Sequence, residues 1–189
     1  DGVFIAALPR EHGYAAEAGK SLAGSVMGNS GCSLNWGGFD KALGKAAKKL
    51  GNKQALLDSV GEALVSGTLA RFDAEEDPEG NKWEPSRRAQ EEGGKTLSDT
   101  AILRRSIEYA TTGDKVMVGS NQPYALIHQK GGTIKPKKAK KLVFKGSGGK
   151  KVFAKEVTIP ARPYLGVSAD DMEEVQATIA DFLAGAFKP

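Results

Sequence analysis

Helical and strand-like spacings of apolar residues take turns along this chain. In "FDKALGKAAKKL" the residues Phe39, Leu43, Ala46, Ala47 and Leu50 share one helical face, with lysines opposite. Gly51 and Asn52 can interrupt that helix, and "KQALLDSVGEALVSGTLARF" resumes the period through Leu56, Val60, Ala63, Leu64 and Phe72. The stretch "TLSDTAILRRSIEYA" predicts a second helix, capped by Ser98 or Asp99, with Ile102, Leu103, Ile107 and Tyr109 facing inward. Alternation in "DKVMVGSN" then predicts a short strand. In "PYALIHQKGG" a proline opens a brief helical turn and a glycine pair closes it. The apolar strands "KLVFK" and "KVFAKEVTI" flank "GSGG" and predict a hairpin over about residues 133–159. "SADDMEEVQATIADFLAGAF" reads as a final helix. Ser168 caps it, acids gather at its positive end, and Met172, Val175, Ile179, Phe182 and Leu183 form its apolar stripe.

The segments between these patterns sharpen the picture. Asp77-Pro78-Glu79-Gly80 is a turn sequence, because proline presets one turn dihedral and glycine tolerates the next. Trp83 follows directly. A tryptophan there suits an anchor that folds a loop over a helix end; a base-stacking platform would want further aromatics nearby, and only acids and Pro85 stand close. Pro160 and Pro163 stiffen an extended segment around Arg162 that leads into the last helix. His128 reads as a hydrogen-bonding residue that fixes the chain before Gly131 and Gly132. Residues 1–32 are too poor in large apolar side chains to build a core and read as an amino-terminal arm, leaving residues 33–189 as one domain. The fold class expected is α+β: a small, mostly antiparallel sheet with packed helices, a projecting lysine-rich hairpin and the arm.

Charge changes this picture in one place. The formal net charge is +4, yet from Lys130 to Lys155 there are ten lysines and no acid, so the rest of the chain carries +4 − 10 = −6. Lysines guarding an exposed strand edge explain some of these, not ten. Lys135, Lys137, Lys138, Lys140, Lys141, Lys145, Lys150 and Lys151 are therefore the candidate interface, directed either at an acidic neighbouring subunit or at passing DNA. The segment has no arginine, which argues against base-specific readout, so any DNA contact would be nonspecific.

Catalytic chemistry finds little to use. Cys32 is the single cysteine, so no internal disulfide is available and a reducing compartment is favoured. His12 and His128 are the two histidines, and no Cys/His cluster suggests a metal. "GKS" at Gly19, Lys20 and Ser21 lacks the glycine that a phosphate-binding loop needs five residues earlier, where Tyr14 stands. No apolar run is long enough to cross a bilayer. Neither enzymatic activity nor a cofactor is expected, and no membrane partner.

Four motifs carry a resemblance: "DPEGNKW", "LSDTAILRRSI", "VMVGSNQPYALIHQKGG" and "IPARPYLGVS", in this order and spacing. Together they resemble the phage virion morphogenesis family, the tail-completion or head-to-tail joining proteins of tailed phages and Mu-like prophages, over about Asn35 to Leu183. Their structural residues here are Asp77, Pro78, Gly80, Trp83, Tyr124, His128, Gly131, Gly132, Pro160, Arg162 and Pro163. Where members often have Asp-Thr-Gly before the second helix, this chain has Asp99-Thr100-Ala101. The resemblance implies a non-enzymatic virion component, assembled in the bacterial host cytoplasm. It would form a homo-oligomeric ring, sixfold to match a tail tube, and meet tail-tube and neck or head-connector proteins. The reading set against it is a nonspecific nucleic-acid-binding module that uses the same lysines; a hydrolase or nucleotide-dependent enzyme is a weaker third.

Overall fold

One long helix organises the core. In the computed structural model, which describes residues 3–4, 30–34, 53–112, 115–146 and 149–186, helix α1 runs over Lys53–Ala74. Its buried face carries Leu56, Leu57, Val60, Leu64 and Phe72, and the Thr68 hydroxyl donates to the Leu64 carbonyl at 2.8 Å, which satisfies its buried polar group. That face lies on a four-stranded antiparallel sheet. Its strands are β1 (Val3–Phe4), β2 (Ser30–Leu34), β3 (Ile107–Thr112) and β4 (Lys115–Ser120), in the order β1-β2-β4-β3. β3 and β4 pair from Ile107↔Ser120 to Thr112↔Lys115, and Ile107, Val116 and Val118 are buried beneath the helix. Gly61 lets the Tyr109 ring lie against α1, since a Cβ there would overlap the ring.

A final helix, Ala169–Ala186, completes the helical layer by packing on α1 through Val175, with Ile179 and Phe182 against the same core. Three shorter helices lie between α1 and it in sequence: α2 (Arg87–Glu92), α3 (Ile102–Arg105) and α4 (Ala125–Lys130), so the final helix is α5. Two two-stranded ribbons stand apart from the main sheet. β5 (Gly132–Ile134) pairs with β8 (Val157–Ile159), and β6 (Leu142–Lys145) pairs with β7 (Lys151–Ala154). The fold is thus mixed α+β with small antiparallel sheets.

The structure departs from the sequence reading in several places. The second helix is a single turn, α3, and its residues Ile107 and Tyr109 belong to β3 instead. Ser106 ends the turn, and the β-branched and aromatic run "IEYATT" gains a full ladder with β4, which a longer helix would forfeit. Neither Ser98 nor Asp99 caps α3; Ala101 holds that position without a side-chain bond. Ile102 is 50 % exposed rather than inward. Met172, placed by its spacing in the stripe of α5, is also exposed, because the preceding Asp171 takes the place that faces α1. α2 gives no apolar signal, being polar throughout with no buried residue, and it depends on Ser86, whose hydroxyl accepts from the Ala89 amide at 3.2 Å. The helix expected over residues 39–50 lies outside the described residues, as does most of the stretch read as an arm, including His12 and residues 19–21. The described parts of that stretch, Val3–Phe4 and residues 30–32 of β2, are strand backbone in the sheet.

Ala101 explains the departure noted in its motif. It has φ 56° and ψ 13°, a left-handed conformation that glycine adopts freely and alanine does not. Ala101→Gly should raise stability by about 0.5–1 kcal/mol, the relief of left-handed strain less the entropy glycine adds to the unfolded chain. An unchanged or lower urea midpoint would show that Ala101 carries no such strain.

Candidate interaction surface

The motif residues, far apart in sequence, converge on one side of α1. The Asp77 carboxylate accepts from the Glu79 and Asn81 amides at 3.0 and 2.8 Å, and the Gly80 amide closes the turn on the Asp77 carbonyl at 3.0 Å. Desolvation pushes the Asp77 carboxyl up, but hydrogen bonds from Asn81, Glu79 and Gly80 outweigh it and hold the group below its ordinary value. The turn delivers Trp83 inward, 6 % exposed, edge-on to Phe72 with ring centroids 5.6 Å apart. Its Nε1–H donates to the Pro163 carbonyl at 2.9 Å, tying the turn to the "IPARPYLG" segment. Pro78 packs on that segment at Gly166, where no Cβ would fit.

The same segment is held from two further directions. The Arg162 amide donates to the His128 carbonyl at 2.7 Å, and Arg162 Nε donates to the Glu84 carbonyl at 2.7 Å. Gln129, a residue the sequence did not single out, accepts from the Tyr164 and Leu165 amides through Oε1 and donates to the Leu165 carbonyl. Tyr164 is fully buried beside Phe72, and its hydroxyl donates to the Ala125 carbonyl at 3.1 Å; burial pushes its pKa up. Gly131, at φ 68°, passes so close that a Cβ would sit 2.7 Å from the Ala161 nitrogen. Gly132 begins β5, opposite Ile159, immediately before Pro160. These contacts make the junction a rigid support.

His128 serves that support through its carbonyl rather than its ring. The ring lies edge-on to Tyr124 with centroids 6.0 Å apart, and its buried Nδ1 has no hydrogen-bond partner. Burial, and then the positive charge of Arg162, hold its pKa below the ordinary 6.5. The unfolded chain therefore binds the proton more readily. Its stabilising contribution is present above about pH 6.5 and is lost as pH falls through the lowered folded value. Melting temperature should fall between pH 7 and pH 5, and His128→Gln should flatten part of that fall; identical slopes would count against it.

The strongest interaction missed in the sequence is buried. Arg71 on α1 meets Asp171 on α5 at 2.5 Å with both side chains at most 6 % exposed, and it donates to the Tyr164 and Gly166 carbonyls and to Thr68. Gly67 makes room for the Asp171 carboxylate. The signal that could have found half of it is Ser168-x-x-Asp171, a reciprocal capping box: the Ser168 hydroxyl accepts from the Asp171 amide and the carboxylate accepts from the Ser168 amide.

The lysines occupy a different place. All ten between Lys130 and Lys155 are exposed, and Lys135 meets Glu156 at 3.2 Å where the β5–β8 ladder ends. Lys137, Lys138, Lys140 and Lys141 lie in the loop from β5 to β6, and Lys150 precedes β7. In the β6–β7 ribbon Val143 opposes Phe153 and Lys145 opposes Lys151, so one face carries an apolar pair and then a lysine pair. Val143 and Phe153 are 58 % and 60 % exposed. Charged and exposed apolar side chains thus share one face of the ribbon.

Among the described residues, no group of three or more His, Cys, Asp and Glu side chains could hold a metal ion, and no helix is long and apolar enough to cross a membrane. A groove of about 410 Å³ between α1 and β3 is lined by Val65, Leu69, Ile107 and Tyr109 together with Glu62 and Glu108. It offers apolar contact, the Ser66 hydroxyl and negative charge.

Comparison with known proteins agrees with the motif cluster. Residues 34–184 match the phage virion morphogenesis family. The chain belongs to this family. It is accordingly a phage morphogenesis protein, with a role in building the virion. One curated relative, the Mu-like prophage FluMu G protein 2 of Haemophilus influenzae, is 29 % identical over 141 residues, covering 75 % of this chain and 86 % of that protein. No solved structure matches the chain.

Proposed function

We propose that this phage morphogenesis protein is a non-enzymatic ring subunit, most simply a hexamer, that completes the end of the tail and joins it to the neck or head. The observation that carries this reading is the lysine ribbon with its exposed Val143 and Phe153. A purely electrostatic sleeve for DNA needs no apolar face, whereas a protein partner uses both features. The tail tube, neck or head-connector proteins and further copies of this chain are the partners this surface suits.

Phage or prophage particles carrying Lys137→Glu, Lys138→Glu, Lys140→Glu and Lys141→Glu together provide the test. Tails that fail to join heads are expected, with docking restored by compensating charge reversals on the partner. Normal particles from the four-fold variant would remove the lysines of the β5–β6 loop from the joining surface. Nonspecific DNA binding is the second reading, favoured by the ten exposed lysines. In that case the variant should still assemble, and the salt slope of DNA binding should fall by about 0.9 for each phosphate that is no longer neutralised.

A further inference from the structure

The β6–β7 ribbon carries apolar side chains on both of its faces. Opposite residues of an antiparallel ladder share a face and successive residues alternate, so Val143 and Phe153 lie on one side while Leu142, Phe144 and Val152 lie on the other. Val143 and Phe153 are exposed, and so is Phe144 on the opposite side. Among the described elements, β6 and β7 pack chiefly on each other. A two-stranded ribbon is marginal in water by itself, and one that is apolar on both sides gains most where both sides are covered.

Lysines bound this apolar band at both ends. Lys145 and Lys151 oppose each other on the turn side, and Lys141 and Lys155 directly flank the two strands at the other end; all four are exposed. The band between them is three residue pairs long, about 10 Å at ~3.4 Å per residue. This order does not suit a loop that dips into a membrane, because Lys145 and Lys151 would enter the hydrocarbon ahead of the apolar band. A nucleic-acid backbone would neutralise the lysines but leave the band in water.

We infer that the ribbon inserts into an apolar cleft of a different, acidic protein of the virion, which grips both of its faces. Carboxylates on one rim of the cleft meet Lys145 and Lys151, and those on the other rim meet Lys141 and Lys155. The inference rests on the reading of the ribbon as a joining surface and adds the shape and charge of what receives it. Lys145 and Lys151 face each other directly across the ladder, an arrangement unfavourable within the ribbon that such acids relieve. The absence of any acid from Lys130 to Lys155 leaves the complementary charge to the partner.

The experiment uses phage or prophage particles carrying the full-length protein. Val143→Ser with Phe153→Ser strips one face, and Phe144→Ser with Val152→Ser strips the other; each purified variant is checked for an unchanged melting curve. Each is expected to lower the yield of joined particles by roughly tenfold or more, as truncating anchors at a contact does. Photo-cross-linking reads the same contact without stripping a face and decides the matter where a variant melts early. Benzoylphenylalanine placed at position 143 or, separately, at position 144 and irradiated in finished particles is expected to join this chain to one partner protein from both positions, at peptides that carry Asp or Glu. Loss of yield from one face alone, or cross-links from one position alone, would overturn the cleft and leave the joining surface as proposed. Cross-links to another copy of this chain, to DNA or to lipid would overturn the partner. Normal yield from both variants and no cross-link from either position would overturn the insertion itself, and the separate charge reversal at Lys137, Lys138, Lys140 and Lys141 then decides the joining reading.

Discussion

Asp171→Ala is expected to destabilise the protein by about 3–5 kcal/mol, the cost of removing one partner from a buried ion pair. The reason lies in what the change leaves behind. Arg71 would keep its full charge at a site where it is 6 % exposed, with only the Tyr164 and Gly166 carbonyls and the Thr68 hydroxyl to answer it. One half of the capping box of α5 would be lost at the same time, because the carboxylate also accepts from the Ser168 amide at 2.8 Å. Asp171→Asn separates the two effects: it retains a cap acceptor and the side-chain volume but removes the negative charge. It should lie between the alanine variant and the unaltered protein. Replacing both partners, Arg71→Met with Asp171→Leu, should cost less than the two single changes summed, since no uncompensated charge is then buried. Urea unfolding at neutral pH reads all of these, and a loss below about 1 kcal/mol for Asp171→Ala would mean that solvent reaches Arg71 and the pair is effectively a surface one.

That pair also marks where sequence reasoning stops. Local spacing finds α1, β4, α5 and β6, and proline and glycine mark α4; the run "KVFAKEVTI", read as one strand, divides into β7, paired with β6, and β8, paired with β5. Local spacing stumbles at Ile107–Thr112, where Ile107 continues a helical stripe from Leu103 and Tyr109 one from Ile102, while the two also alternate in a strand. The decision there belongs to β4, which supplies a ladder of partners that no local pattern reveals. Arg71 looks in sequence like an ordinary basic residue near a helix end, a place where cations are favoured in any case. Only the packing of α5 on α1 turns it into a buried group holding two helices and the backbone of residues 164–166 together. The lysine segment is the reverse case. Its charge is plain in the sequence, but the pairing that sets Lys145 against Lys151 beside Val143 and Phe153 comes from the register, which the turn "GSGG" alone does not fix.

The tryptophan of the "DPEGNKW" turn provides the other large effect. Trp83→Ala should cost about 3–5 kcal/mol, the usual loss when a core aromatic is truncated. Three separate losses contribute. The indole buries nearly all its surface, it packs edge-on against Phe72 at 5.6 Å, and its Nε1–H satisfies the Pro163 carbonyl at 2.9 Å. The backbone around it adds leverage: the Trp83 amide donates to the Glu75 carbonyl at 2.8 Å, so the ring pins the end of α1 to the segment that leads into α5. Trp83→Phe keeps much of the apolar area but leaves the Pro163 carbonyl without its donor, and should cost about 1–3 kcal/mol. The order alanine, phenylalanine, tryptophan in rising urea midpoint is the expected result. A phenylalanine variant as stable as the unaltered protein would assign the anchor to apolar packing alone, and an alanine variant within about 1 kcal/mol of it would show that the turn is held by Asp77, Pro78 and Arg162 without the ring.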